Sequence, residues 1–178
     1  KNFLFLILIS ALQAISLAGQ SLVPDSLLNK YDIIIENKVI KVDVYNIYSV
    51  KTEILINQII SKEDINRSPE ILIHYDKFTK VSDIEILITD MAGKKIKTLK
   101  KSELTDQSTY DGITIASDNR YLYYKSLGFK TPYRISIKYK EEITQSFNLP
   151  YFNTINNTPS YFQKGQFIIN CFEKENKI

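Results

Sequence analysis

At 178 residues, with 44% hydrophobic and 24% charged residues, the chain has the size and composition of one folded domain with its own core, which excludes a disordered tail. A net charge of only +3 gives no case for nucleic acid, whose binding domains carry a concentrated basic face, and a single Cys excludes an internal disulfide. Five Gly and five Pro against twelve Tyr and nine Phe, with abundant Ile, favour strands, because β-branched and aromatic side chains fit a pleated surface.

The first residues read as an export signal. Lys1 supplies a positive start, Phe3 to Ile15 is a nearly unbroken apolar run, and Ser16-Leu17-Ala18 has the small-x-small pattern of a signal-peptidase site. The run is shorter than the roughly 20 apolar residues of a spanning helix, so no stable membrane span is expected once residues 1 to 18 are removed. No Cys lies near the cut to accept a lipid, and loss of Lys1 takes the net charge from +3 to +2. A periplasmic or secreted location follows from this reading.

Residues 22 to 172 are expected to form one domain, followed by a polar tail at 173 to 178. Val23 to Leu28 reads as a short turn or helical turn capped by Asp25 or Ser26. Ile40, Val42 and Val44 alternate with Lys41, Asp43 and Tyr45, the two-residue period of a strand with one buried face. Val50 to Ile60 is apolar on both faces, which predicts a strand in the middle of a sheet. Ser61 to Glu70 is polar and reads as a loop.

The stretch from Ile71 to Tyr139 holds a succession of short alternating runs broken by turn residues. Ile71 to Tyr75 and Ile84 to Thr89 read as strands, and Asp90-Met91-Ala92-Gly93-Lys94 as a turn whose hairpin partner is Lys95 to Leu99. Lys101 to Asp106 reads as polar with room for one helical turn, Ile113 to Ile115 as a short strand, and Asp118-Asn119 as a turn preceding a strand at Tyr121 to Tyr124. Pro132 opens a strand in which Tyr133, Ile135, Ile137 and Tyr139 alternate with polar residues, and Phe162 to Phe172 is the last strand. The expected fold is all-β, an antiparallel sandwich of two sheets with little helix.

These residues resemble a known family. Pro24 to Ile59, Ile73 to Gly112, Ser117 to Arg120 and Pro132 to Ile143 together look like the domain of unknown function that precedes transglutaminase-like domains in exported bacterial proteins. The most telling pieces are the D-x-x-G-K turn at Asp90 to Lys94, Lys101 to Asp106, Ser117 to Arg120, and Pro132-Tyr133. The resemblance spans about residues 22 to 170. It implies a non-catalytic β domain whose partner is a transglutaminase-like domain, or another exported protein, with the Cys, His and Asp triad in that following domain. This chain ends at Ile178, where such a core is expected to begin.

No catalytic, cofactor or metal site is expected from the residues themselves. Cys171 and His74 are the only residues of their kinds, and Cys171 lies in an apolar run with Phe167 and Ile169, which reads as a small buried hydrophobe. One His and one Cys make no zinc set, and Asp106, Asp111 and Asp118 are too widely spaced for a calcium loop. Lys94, Lys95, Lys97, Lys100 and Lys101 read as a solvated hairpin that discourages edge pairing. Tyr121, Tyr123, Tyr124, Phe129 and Tyr133 form the densest aromatic cluster, expected as core or half-buried packing, and Asp118 with Arg120 as an ion pair pinning a turn. Two functions remain open at this level: the accessory or interaction domain just described, and a self-standing module that binds glycan or peptide through aromatic strands or a free sheet edge.

Overall fold

A computed structural model of the protein describes residues 23–62, 71–109, 118–125, 128–145, 150, 152 and 159–172. The expected signal, the loop at 63–70 and the strand at 113–115 lie outside these. A short helix, α1 (Asp25–Lys30), comes first, with Pro24 at its N-cap and no side-chain cap from Asp25 or Ser26. Ten strands follow: β1 (Ile33–Asn46), β2 (Ser49–Ile60), β3 (Ile71–Tyr75), β4 (Thr79–Asp90), β5 (Lys95–Leu99), β6 (Thr105–Ser108), β7 (Arg120–Tyr124), β8 (Tyr133–Ile143), β9 (Ser160–Phe162) and β10 (Gly165–Cys171). A single 3-10 turn at Lys101–Glu103 joins β5 to β6. Among the described residues no helix is long and apolar enough to cross a membrane.

The strands make an all-β fold of two sheets. The larger has seven strands in the order β10-β1-β2-β8-β4-β5, with β9 beside β1 in line with β10; the smaller has the order β3-β7-β6. As its two apolar faces predict, β2 is central, paired antiparallel with β1 on one side and with β8 on the other. One feature departs from the expected antiparallel pattern. The last strand is broken into β9 and β10, and both run parallel to β1. The break falls between Phe162 and Gly165, where a Cβ on Gly165 would sit inside van der Waals contact of the Phe152 and Phe162 rings.

Alternation puts every second residue of the long strands on one face. There Ile33, Ile35, Ile60, Tyr133, Ile135, Ile137, Ile86, Ile88 and Leu99 pack against Ile71, Ile73 and Leu122 of the small sheet, forming the main core. Farther along the same face Ile40, Val42, Val50, Ile54 and Ile143 form a second cluster with Phe152. Two bulges keep this face continuous. β1 carries one between Ile35 and Asn37, and β4 carries another between Ser82 and Glu85, where Asp83 has φ +51°. Without them Ile35 and Ile40, or Val81 and Ile86, would stand on opposite faces.

The β4–β5 turn is built as its sequence suggests. The Asp90 carboxylate accepts hydrogen bonds from the Ala92 and Lys94 amides at 2.9 and 2.8 Å, and the Gly93 amide donates to the Asp90 carbonyl at 3.0 Å. Gly93 takes φ +82°, a region closed to β-branched side chains. Gly93→Val should therefore destabilise the domain by about 1 to 3 kcal/mol, the strain of such a position. Lys95→Thr, on the exposed start of β5, should change little. Equilibrium urea denaturation of both variants reads the difference, and equal midpoints for Gly93→Val and wild type would contradict it.

Candidate functional site

Three places carry polar or apolar side chains that the core does not explain. The first is inside the sheet. Within the second apolar cluster, in the row between Ile54 and Val50, Thr52 of β2 stands opposite Glu141 of β8, and its hydroxyl donates to the Glu141 carboxylate at 2.9 Å. Both side chains are buried. Burial pushes the Glu141 carboxyl above the ordinary carboxylate range, with the Asp76 charge acting in the same direction and the Thr52 hydrogen bond opposing it. The neighbouring Tyr139 phenol is also pushed up, by burial and then by Glu141. The pair reads as a polar row set inside an apolar cluster.

The second place is the small sheet. Leu122 points into the core, so its neighbours Tyr121 and Tyr123 face outward, half-buried. Tyr121 stands opposite His74 of β3, ring centroids 6.1 Å apart, and Tyr123 opposite the exposed Leu72, with 5.7 Å between the two tyrosine rings. Tyr124, Phe129 and Tyr133 belong instead to the core side, with Phe129 edge-on to Tyr133 at 5.6 Å. The aromatic cluster of the sequence is thus divided by strand alternation into an outward pair and an inward trio.

At one end of this sheet Tyr75 donates its hydroxyl proton to Asp106 at 2.7 Å, and Arg120 Nε reaches the Tyr75 oxygen and Asp106 Oδ1, both at 3.0 Å. The Tyr75 hydrogen bond and then Arg120 hold the Asp106 carboxyl below its ordinary range. Asp118 is not the partner of Arg120, as its spacing suggests, but bonds Lys77 at 2.6 Å. The expected Asp118–Arg120 pair is replaced by two pairs between different strands and turns. Of the lysine series, Lys97 reaches the Tyr124 hydroxyl and Glu103, and Lys101 donates to the Val81 carbonyl.

The third place is the β10 side of the large sheet. Of the ten large apolar side chains exposed among the described residues, seven lie here: Tyr45, Ile47 and Tyr48 at the β1–β2 tip, and Phe167, Ile168, Ile169 and Phe172 on or next to β10. Phe172 stacks on Tyr45 at 5.0 Å, and Asn170 donates to the Asp43 carboxylate at 2.7 Å, fastening β10 to β1. Cys171 is exposed, which corrects the expectation of a buried thiol: β10 lies at the edge of the large sheet, and among the described residues no further strand pairs beyond it. His74, in the other sheet, is not brought to it. Among the described residues no group of His, Cys, Asp or Glu is arranged to hold a metal ion. Asp111 lies outside the described residues.

No protein-family model matches the chain, and no curated protein matches it. Among solved structures, the chain is similar to a crystal structure of a "putative protease" from Parabacteroides distasonis, with TM-score 0.51 and 9% identity over 64% of this chain and 23% of that one. It is also matched to an M1 zinc metallopeptidase from Deinococcus radiodurans, with TM-score 0.28 and 10% identity over 62% of this chain and 20% of that one. The chain spans less than a quarter of the length of either protein. The likeness to the first is one of fold.

Two outcomes follow from these environments. A carboxyl whose pKa is raised on folding contributes stability that is full below its unfolded value, about 4.3, and is lost as pH rises through the raised value. Glu141→Gln keeps the shape and an acceptor for Thr52, so it should raise the urea midpoint at neutral pH and leave it close to wild type in acid. A lower midpoint at neutral pH would show that the ionised carboxylate is favoured where it stands. At the edge, Cys171 should react with a water-soluble maleimide in the native protein, and Cys171→Ser should shift stability by less than about 0.5 kcal/mol.

Proposed function

We propose that this chain is a non-catalytic accessory or interaction domain of an exported bacterial transglutaminase-like protein. The observation that carries the reading is the apolar tip of the β1–β2 hairpin: Ile47 and Tyr48 are 59% and 70% exposed, and the Tyr45–Phe172 stack extends the same surface. Large apolar side chains gathered at one end of a sheet mark a surface that another folded unit covers. The resemblance in the Asp90 to Lys94 turn and the other matched segments names that unit as a transglutaminase-like domain, and the apolar run from Phe3 to Ile15 supports export to the periplasm or beyond. That a domain of similar fold occupies under a quarter of a longer protein described as a protease accords with such an arrangement.

A second reading is favoured by the outward-facing, half-buried pair Tyr121 and Tyr123 beside the exposed His74, since aromatic rings on an open sheet face offer a stacking surface for sugars. In that case the chain is an extracytoplasmic module for glycan or peptide. The two readings separate in one calorimetric comparison. Titration of the mature chain with a transglutaminase-like core from the producing bacterium should give binding that Tyr48→Ser weakens at least about tenfold, a loss of 1.4 kcal/mol, and that Tyr121→Ala leaves unchanged. Absence of binding to any such core, with Tyr121-dependent binding to a cell-wall glycan, would reverse the order of the two.

A further inference from the structure

The two outer edges of the large sheet differ in chemistry. β5 closes one side and carries Lys95 and Lys97 next to Lys94, charges that resist the approach of another strand. β10 closes the other with Gly-Gln-Phe-Ile-Ile-Asn-Cys, seven residues without a charge or a Pro. Its exposed side chains include Phe167 and Ile169 on one face and Ile168 on the other. The edges of the small sheet are less inviting still: β6 is four polar residues long, and β3 is five.

The backbone of β10 defines what would fit. Lys38 donates its amide to the Lys164 carbonyl and Phe172 donates its amide to the Val44 carbonyl, so the even-numbered residues turn their peptide groups toward β1. By strand alternation the N–H and C=O groups of Gly165, Phe167, Ile169 and Cys171 point away from the sheet. Such a row is satisfied by an extended strand, and the absence of charge calls for an uncharged one with apolar side chains on both faces. Among the strands of this chain, β10 itself is the edge that has this composition.

It is also self-complementary. An antiparallel pairing about a two-fold axis at Ile168 sets Phe167 opposite Ile169 of the second copy and Gly165 opposite Cys171, and each of these outward-pointing pairs exchanges two hydrogen bonds. Aromatic and β-branched side chains then meet across the seam on one face, and the two Ile168 side chains meet on the other. We propose that two copies of this chain pair antiparallel through the free edge of β10, joining their large sheets into one. This does not depend on the accessory reading, because the hairpin tip faces along the strands and the β10 edge faces sideways.

Proline tests the edge without touching the β1 ladder. The Ile169 amide points outward, so Ile169→Pro removes a donor from the free edge only, a position where sheets tolerate Pro. Sedimentation velocity of the mature chain over a dilution series should show a reversible dimer for wild type and a monomer for Ile169→Pro with an unchanged far-ultraviolet spectrum. If that variant does not fold, Ile169→Lys takes its place. Amide exchange gives a second readout: protection at Phe167, Ile169 and Cys171 should rise with protein concentration, while Ile168, Asn170 and Phe172 stay protected throughout. A wild-type monomer at all concentrations, a dimer that survives a folded Ile169→Pro or Ile169→Lys, or protection at Phe167 and Ile169 independent of concentration would each overturn the proposal.

Discussion

The fold depends on the double pairing of β2. This strand is bonded along nearly its whole length to β1 on one side and to β8 on the other. One consequence is that the apolar residues at alternate positions of three long strands are fixed in register with one another, so Ile33, Ile60 and Tyr133 form one row and Val44, Val50 and Ile143 another. The small sheet has only to cover one end of a surface already assembled. The rows in between include Thr52 and Glu141, and there the large sheet buries polar groups by pairing them with each other.

That division sets where function is available. The end of the sheet under β3 and β7 is consumed by packing, and the face of the small sheet that remains is aromatic but half-buried. The far end and the β10 side are the places where large apolar side chains meet water. The β1–β2 tip and the β10 side are therefore the apolar surface that packing among the described residues leaves exposed.

Much of this was legible in the sequence because the strands are regular. β1, β2, β4 and β8 announce themselves by alternation, and the Asp90 to Lys94 turn by the residues its geometry needs. What was not legible comes from pairing between distant segments. The parallel course of β9 and β10 beside β1 leaves no trace in local pattern, so Phe162 to Phe172 read as one antiparallel strand. Cys171 was misplaced for the same reason: Phe-Ile-Ile-Asn-Cys looks alike whether a strand ends up in a core or on an edge, and only its neighbours decide. Asp118 and Arg120 are close in sequence, yet each found a better-placed partner, Lys77 and Asp106, because those residues are brought in from other strands and turns. On the candidate site, the sequence supplied Tyr121 and Tyr123 but not the side they face, and nothing in it singled out Ile47 and Tyr48.

Arg134 shows how far apart the parts of such a sheet can be tied. Its guanidinium bonds the Glu36 carboxylate at 3.1 to 3.3 Å and the Met91 carbonyl at 3.1 Å, with both charged side chains mostly buried. Glu36 sits at the bulge of β1, Arg134 on β8 two strands away, and Met91 in the β4–β5 turn. Fraying of that turn therefore withdraws a hydrogen-bond partner from the same side chain that is paired with the carboxylate at the bulge. The arginine thus ties three separate segments, the β1 bulge, β8 and the β4–β5 turn, across β2.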